Sequence, residues 1–234
     1  MFGNSTHVHH RRSAPRTPFV PALGLAAITP LYSVISGLTR PTLRRFLRRT
    51  GIEDGMAVLD VGCGTGEFAV LIAQTRPGAS PVGLDPDPAV LDVARARFVR
   101  AGVDVDLRQG TIESVVFEPG SFDRIVSTFV LHHLSTDEKS SMLAASLRLL
   151  RPGGQLHVTD VGAPHNTFMK ILGYPLRALG GDRVEANTSG SIPTLIQAAG
   201  FTDVEQLSTT SSLLGTIGHW SATRTDQIVT GESQ

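Results

Sequence analysis

The segment Val58–Gly66 constrains the fold more than any other part of this chain. Apolar residues lead through Asp60 into glycines at alternate positions 62, 64 and 66, and a helical pattern begins near Glu67. This order predicts a strand, a tight turn and a helix. Glycine permits positive φ angles there and lets a ligand approach the main chain closely. The first strand-to-helix turn of an open α/β sheet is where a nucleotide-like ligand binds, so we predict a binding loop.

Three interpretations of this loop compete. A dinucleotide fingerprint would need glycine or alanine at position 67, where this chain has Glu67. An acid at the start of the helix would repel a pyrophosphate that the helix dipole should attract. A tight turn that binds nothing is the second interpretation. The third, which we favour, is a loop for a nucleoside ligand without phosphate.

The spacing of the three glycines, with Asp60 two residues upstream, resembles motif I of the class I S-adenosylmethionine (SAM) methyltransferases. Two further blocks are similar to the same family: F-x-P-G-S-F-D-R-I-V-S…L-H-H-L at 117–134, and L-R-P-G-G-x-L-x-V-T-D at 150–160. The resemblance runs from about Thr39 to Arg224. It points to the type 11/25, UbiE-like group that acts on small molecules, and implies SAM as the cofactor.

The pattern of elements predicts an α/β fold. Residues 57–110 alternate strand and helix twice, which is typical of a parallel, doubly wound sheet. The resemblance implies a Rossmann-like, mostly parallel sheet of seven strands, with an antiparallel last strand and an N-terminal helical lid. We accordingly predict a disordered tail and apolar arm or lid at 1–38, and a methyltransferase domain at 39–234.

Two positions beyond the glycine loop are expected to contact the nucleoside. Asp85 ends the second predicted strand, where a carboxylate can accept both ribose hydroxyls. The alternative role, capping the next helix, suits Asp87 better because Asp87 lies nearer the helix start. The resemblance puts Thr111 where the family usually has an acid that meets the adenine amino group. A hydroxyl is a weaker acceptor, so main-chain groups at Ile112 are the other candidate for that contact.

The full set of predicted cofactor-binding residues combines the loop, the strand ends and their neighbours. It comprises Asp60, Gly62, Cys63, Gly64, Gly66, Asp85, Pro86, Thr111, Ile112, Ser127 and Phe129. Cys63 is the single cysteine, so no internal disulfide can form and an oxidising compartment is not indicated. Its small size explains its place in the loop better than a nucleophilic role. No metal site is predicted.

Candidate catalytic residues follow the fourth and fifth predicted strands. The fourth strand adjoins the first across the topological switch point, so its exit loop, with His132 and His133, borders the ligand. Histidine can take a proton near neutral pH, although a histidine here could equally hydrogen-bond the backbone. Asp160, at the end of the fifth strand, could orient a base, pair with a substrate amine or cap a turn. In order, the candidates are His133, His132, Asp160 and His165.

The predicted function is in-line transfer of a methyl group from SAM to a small acceptor, at oxygen or carbon before nitrogen. An apolar run at 168–179 resembles the family's insertion that roofs the substrate site together with the N-terminal arm, and such a roof favours a hydrophobic acceptor. Core packing is the other explanation of this run. Alternatives are a SAM-fold enzyme that catalyses a cyclisation or rearrangement without methylation, a membrane-surface enzyme acting on a lipid or quinone, and a non-catalytic interaction protein.

Charge is distributed unevenly along the chain. The first 49 residues contain eight arginines and no acid, and the remainder carries 13 basic against 21 acidic residues. Few aromatics and no basic stripe through the core argue against nucleic-acid binding. Contact of residues 1–49 with a membrane surface remains a secondary hypothesis. The arginines at 44, 45, 48 and 49 are expected to form a solvated helix face, with attraction to an anion as the second possibility.

The uncharged stretch at 19–39 raises the question of a membrane span. Pro21 and Pro30 make it a poor spanning helix, and no cleavage site follows it as in a signal peptide. We therefore expect a cytoplasmic protein. The sequence predicts nothing about the oligomeric state.

Overall fold

A computed structural model of the chain describes residues 40–167, 169, 183–212 and 215–225. The arm predicted at 1–38, and with it the helical lid, lies outside the described residues. So does the predicted roof at 168–179, apart from Met169. The division into domains at residue 38 therefore stays a prediction.

Strands and helices alternate through the first half of the described chain. Helix α1 covers 40–49, and is followed by β1 (Ala57–Val61), α2 (Glu67–Thr75), β2 (Ser80–Asp85), α3 (Pro88–Ala101) and β3 (Asp106–Gln109). The second half contains β4 (Phe122–Thr128), a 3-10 turn (Leu131–His133), α4 (Thr136–Leu149), β5 (Leu150–Val161), α5 at 183–188, α6 (Ile192–Ala198), β6 (Thr202–Ser212) and β7 (Gly215–Thr223).

These strands form one sheet of seven in the order β3-β2-β1-β4-β5-β7-β6. The pairs from β3 to β5 are parallel, and β7 is antiparallel to both of its neighbours. The predicted doubly wound, mostly parallel sheet with an antiparallel last strand is confirmed. The strand order reverses between β1 and β4, so the carboxyl ends of these strands flank the crevice where such folds bind ligands.

Apolar residues cover both faces of the central strands, as expected for a buried parallel sheet. On one face, Val58 and Val126 pack with α1 and α2. On the other face, Leu59 and Ile125 belong to the cluster that includes residues of α4, α6 and β7. Full burial of each such side chain contributes about 1.5–3 kcal/mol. The strand ends at the switch point therefore sit on a rigid base.

Two of the helices that connect parallel strands, α3 and α4, begin at side-chain caps. Asp87 caps α3 by accepting a hydrogen bond from the nitrogen of Ala89 at 2.9 Å, as the sequence predicted. Helix α4, by contrast, is capped by Ser135 and not by Thr136, which the sequence favoured. Ser135 and Glu138 bond each other's main-chain nitrogens in a capping box, and this reciprocal pair requires the cap to be one residue earlier.

Strand β5 begins at Leu150, which already pairs with Phe122 of β4. None of the described helices is long and apolar enough to cross a lipid bilayer.

Candidate functional site

The glycine loop between β1 and α2 is shaped by its own packing. Gly62, Gly64 and Gly66 have φ angles of 71°, 51° and 72°, in the left-handed region that disfavours side chains. A Cβ at Gly62 would lie 2.3 Å from a methyl carbon of Val130, and one at Gly66 would lie 2.5 Å from the ring of Phe98. The protein itself therefore requires these two glycines, independently of the close ligand approach that the sequence suggested.

Asp60, the last residue but one of β1, is completely buried. Neither carboxylate oxygen has a hydrogen-bond partner among the described residues. Burial, and then the nearby charge of Asp85, raise the pKa of Asp60 from 3.8 to about 7. A buried acid without a partner is costly, and a cationic ligand group would relieve that cost.

Asp85 connects the glycine loop to the start of α3. Its Oδ2 accepts a hydrogen bond from the nitrogen of Gly64, and its Oδ1 accepts one from the nitrogen of Asp87, both at 2.9 Å. Burial raises the pKa of Asp85, and these two hydrogen bonds oppose that rise. Each carboxylate oxygen retains a lone pair, so the group can still accept two hydroxyls. Pro86 follows it, half-buried.

Cys63 lies buried in the same loop. Burial, followed by the charges of Asp60 and Asp85, raises the pKa of its thiol far above the usual range. The thiolate is therefore suppressed, and a nucleophilic role does not fit. A Cβ at Gly83 would come within 3.0 Å of the Cys63 sulfur, so a larger side chain would crowd β2.

Glu67, at the start of α2, would repel an anionic ligand less than its place in the sequence suggested, because arginines lie beside it. Its carboxylate accepts a hydrogen bond from Arg40 at 3.1 Å and lies 3.6 Å from a guanidinium nitrogen of Arg97. The local charge that argues against a pyrophosphate comes instead from Asp60 and Asp85, neither of which forms an ion pair within the described chain. A cation fits this loop better than a phosphate does.

The turn after β3 brings Thr111 to the same edge of the sheet. The nitrogen of Gly110 donates to the carbonyl of Asp85 at 3.0 Å, which fixes the two strand ends together. Thr111 is exposed, and its main-chain nitrogen donates to the hydroxyl of Ser114. Ile112 points its side chain into the core, where it is 2% exposed, so a ligand contact from Ile112 would have to come from its main chain.

Ser127 and Phe129 end β4 beside the loop. Ser127 is fully buried, and its hydroxyl has no partner in the described part of the chain. Phe129 is held at φ 58°, a conformation that costs energy for a residue with a side chain, and its nitrogen donates to the carbonyl of Thr159 at 2.8 Å. Such strain is common at ligand sites.

His132 and Asp160 form a pair at the ends of β4 and β5. Nδ1 of His132 lies 2.7 Å from Oδ1 of Asp160. Asp160 is completely buried, and it also accepts hydrogen bonds from the nitrogens of Val161 at 2.6 Å and His132 at 3.4 Å. A histidine that donates its Nδ1 proton to a carboxylate presents Nε2 as an acceptor. The side chain of His132 is 17% exposed, so part of it is open to solvent.

His133 and His165 are placed differently from this pair. The ring of His133 lies against that of His132 at a centroid distance of 3.9 Å, in an exposed position. Partial burial and the neighbouring His132 lower the pKa of His133 to about 4, so it is neutral at physiological pH. His165 contacts the hydroxyls of Thr216 and Ser211 across the β6–β7 hairpin. The structure thus brings together His132 and Asp160, and it gives neither His133 nor His165 an acidic partner among the described residues.

Lys139 is a residue near the site to which the sequence analysis gave no role. Its side chain is fully buried under the histidine loop, and its ammonium donates to the carbonyls of Leu134 at 2.9 Å and Arg183 at 2.5 Å. Arg183 in turn donates to the carbonyl of His133 at 2.8 Å. The burial of Lys139 could have been predicted from the sequence, because its spacing puts it on the same inward face of α4 as Met142, Leu143 and Ser146.

This chain is similar in sequence to known methyltransferases. Residues 58–154 match the model of a methyltransferase domain. An uncharacterised methyltransferase of Synechocystis sp. is 31% identical over 165 residues, which cover 68% of this chain and 73% of that protein. The ubiquinone biosynthesis O-methyltransferase of Pseudomonas paraeruginosa is 41% identical over 122 residues, or 52% of this chain and 50% of that protein. This chain thus matches only about half the length of that relative.

A solved structure extends the comparison to the whole sheet. The crystal structure of the 4+2 cyclase SpnF superposes with a TM-score of 0.67 at 18% identity, and the match covers 86% of this chain and 93% of the cyclase. At this identity the likeness shows the fold alone.

Proposed function

Because this chain belongs to the class I SAM-dependent methyltransferases, we propose that it methylates a hydroxyl group of a small molecule, with His132 as the base. The observation that carries the proposal is the contact between His132 and the buried Asp160 at the switch-point edge of the sheet. A base is needed when an acceptor loses a proton on methylation, as a hydroxyl does. The proposal favours oxygen as the methylated atom.

The residues at the glycine loop fit SAM. Asp60 would face its ammonium group, Asp85 would accept the ribose hydroxyls, and Thr111 or the main chain of Ile112 would meet the adenine. SAM carries positive charge on its ammonium and sulfonium groups and has no phosphate, which agrees with the two carboxylates at this loop. When bound, it supplies an electrophilic methyl group.

The protein's own contribution to the reaction is alignment and removal of one proton. His132 Nε2 takes the proton of the acceptor hydroxyl as the oxygen becomes nucleophilic, and Asp160 stabilises the imidazolium that forms. Correct alignment of the reacting groups can contribute about 7–11 kcal/mol to lowering the barrier. His133 lies against His132 and would shield one side of its ring.

The acceptor class rests on one relative. The Pseudomonas protein is named as an O-methyltransferase of ubiquinone biosynthesis, and for the present chain we propose a phenolic acceptor with an apolar part. A phenol ionises more easily than an alcohol, so a single histidine is a sufficient base.

Cytoplasmic location and membrane-surface contact through residues 1–49 remain predictions.

Mass spectrometry tests the proposal directly. Purified full-length protein is incubated with SAM and a panel of catechols and other phenols, and products are searched for the gain of one methyl group. The variant His132→Gln should lower kcat by about 10²–10⁴. The matched variant His133→Gln should retain most of the activity.

Two results would reject the proposal in different ways. A product of unchanged mass that forms only in the presence of SAM would favour the cyclisation alternative. Equal loss of kcat in the two histidine variants would remove His132 from its special role, and leave methyl transfer itself untouched.

A further inference from the structure

A polar groove lies on the face of β5 opposite the His132–Asp160 pair. Successive residues of a strand point to opposite faces, so Thr159 faces away from the side that Asp160 occupies. Thr159 lines this groove together with residues of α1 and of the β6–β7 hairpin. The groove is therefore separated from the candidate base by the thickness of the sheet.

One wall of the groove carries two guanidinium groups. Arg45 and Arg49 lie one helical turn apart on α1, and both line it. Within the described residues, no carboxylate pairs with either group. Arg49 donates one hydrogen bond to the carbonyl of Leu207 at 2.8 Å, which leaves further N–H donors free. Among the described residues, this wall therefore has positive charge without a counter-charge.

Hydroxyl-bearing residues also line the groove. Ser208 and Thr210 lie two residues apart on β6, and Thr42 lies on α1 with the two arginines. Ser208 pairs with His219 and Thr210 with Ile217 in the sheet, so they share one face. None of these three hydroxyls forms a hydrogen bond to a described residue. They are donors in reach of the same space as the guanidinium groups.

The floor of the groove adds no negative charge. His219 lies there, and its ring meets that of Phe46 edge to face at a centroid distance of 4.6 Å. Burial, and then the charge of Arg49, lower the pKa of His219 to about 4, so the ring is neutral at physiological pH. Residues 1–39 contain no Asp or Glu, so the N-terminal segment has no side-chain acid to offer.

We propose that this groove binds an oxyanion, the phosphate or carboxylate group of a small ligand. Arg45 and Arg49 supply the charge, and the hydroxyls of Ser208 and Thr210 donate hydrogen bonds from β6. Guanidinium groups bind both kinds of oxyanion through charge-assisted hydrogen bonds. The site is separate from the glycine loop, and the proposal does not depend on methyl transfer.

Inorganic phosphate is the probe for this site. The full-length protein is titrated with phosphate at constant ionic strength, and binding is followed by calorimetry and by the rise in melting temperature. We expect saturable binding to the wild type. Arg45→Gln and Arg49→Gln should each weaken it by about tenfold or more, since each removes a charged donor.

Two controls separate a built site from general attraction. Arg44→Gln changes the same charge on the same helix, but Arg44 does not line the groove, so phosphate affinity should be unchanged. Asp85→Asn, at the cofactor loop, should also leave phosphate affinity unchanged. Absence of saturable binding, equal weakening by Arg44→Gln, or loss of phosphate binding in Asp85→Asn would each overturn the proposal.

Discussion

Asp85 accepts a hydrogen bond from the main-chain nitrogen of Gly64 at 2.9 Å across 21 positions of the sequence. The proposed ribose-binding carboxylate therefore also holds the glycine loop in place. A ligand that bonds Asp85 would meet a loop whose position depends on the same side chain. Substitutions at Asp85 therefore affect binding and the local structure together, to different degrees.

Asp85→Asn should reduce the affinity for S-adenosylhomocysteine by about 10–100-fold, because a neutral amide offers one acceptor oxygen where the carboxylate offers two. Asp85→Asn keeps an acceptor for only one of the two main-chain nitrogens, whereas Asp85→Ala removes both hydrogen bonds and should lower the free energy of unfolding further, by about 2–4 kcal/mol in all. Calorimetry and urea unfolding measure the two effects. Asp87→Asn is the control, since asparagine caps helices well; if it weakens binding as much, Asp85 has no special role.

Asp160→Asn tests whether the aspartate orients His132. The amide cannot hold Nδ1 of His132 in the protonated form as a carboxylate does, so the tautomer with a free Nε2 loses its support. We expect kcat to fall by about 10²–10⁴, with unchanged affinity for S-adenosylhomocysteine. A variant that keeps its full kcat would show that no base acts through this pair.

The fold and the conformation of the glycine loop could be predicted because they depend on local patterns. Alternating strands and helices indicated the parallel sheet, and Asp87 was recognised as a cap from its distance to the helix start. The positive φ angles predicted for Gly62 and Gly66 are confirmed. The crowding that any Cβ would meet there, against Val130 and Phe98, was not predicted. Those partners lie far along the chain, and no local pattern indicates them.

The sequence ranked His133 ahead of His132, and it gave no sign of which ring contacts Asp160. That contact depends on a 3-10 turn that directs the ring of His132 toward Asp160, a residue 28 positions away. The four arginines of α1 that were predicted to form a solvated face are all exposed. The contact of Arg49 with Leu207 spans 158 positions and arises only when the last strands are added to the sheet.

Asp60 should make the stability of the ligand-free protein depend on pH. Its pKa is about 7 in the folded state and near 3.8 when unfolded, so between these values the folded state holds more protons. Stability must then fall as the pH rises from about 4 to 7, by up to about 4 kcal/mol. Asp60→Asn should flatten this dependence and raise stability at pH 8. Urea unfolding at several pH values measures it.

The same substitution should weaken cofactor binding. If Asp60 faces the ammonium group of SAM, wild-type affinity rises with pH through about 7 as the carboxylate ionises, and the asparagine variant shows lower affinity without this rise. Calorimetry between pH 6 and 8 on the two proteins provides the comparison. A pH-independent affinity in the wild type would remove Asp60 from the ligand contacts.

Lys139→Met should destabilise the histidine loop more than a typical core substitution of similar size. Methionine fills the space of the lysine stem but leaves the carbonyls of Leu134 and Arg183 without their donor, and each unsatisfied carbonyl costs about 1–3 kcal/mol. Removal of the buried charge offsets part of that loss, because burial already lowers the pKa of Lys139. We expect a net loss of about 1–3 kcal/mol in urea unfolding, with faster amide exchange at 131–134. Arg183→Gln, at an exposed side chain, should cost less than about 1 kcal/mol. If Lys139→Met were as stable as the wild type, the lysine would not be the anchor that joins α5 to the loop carrying His132.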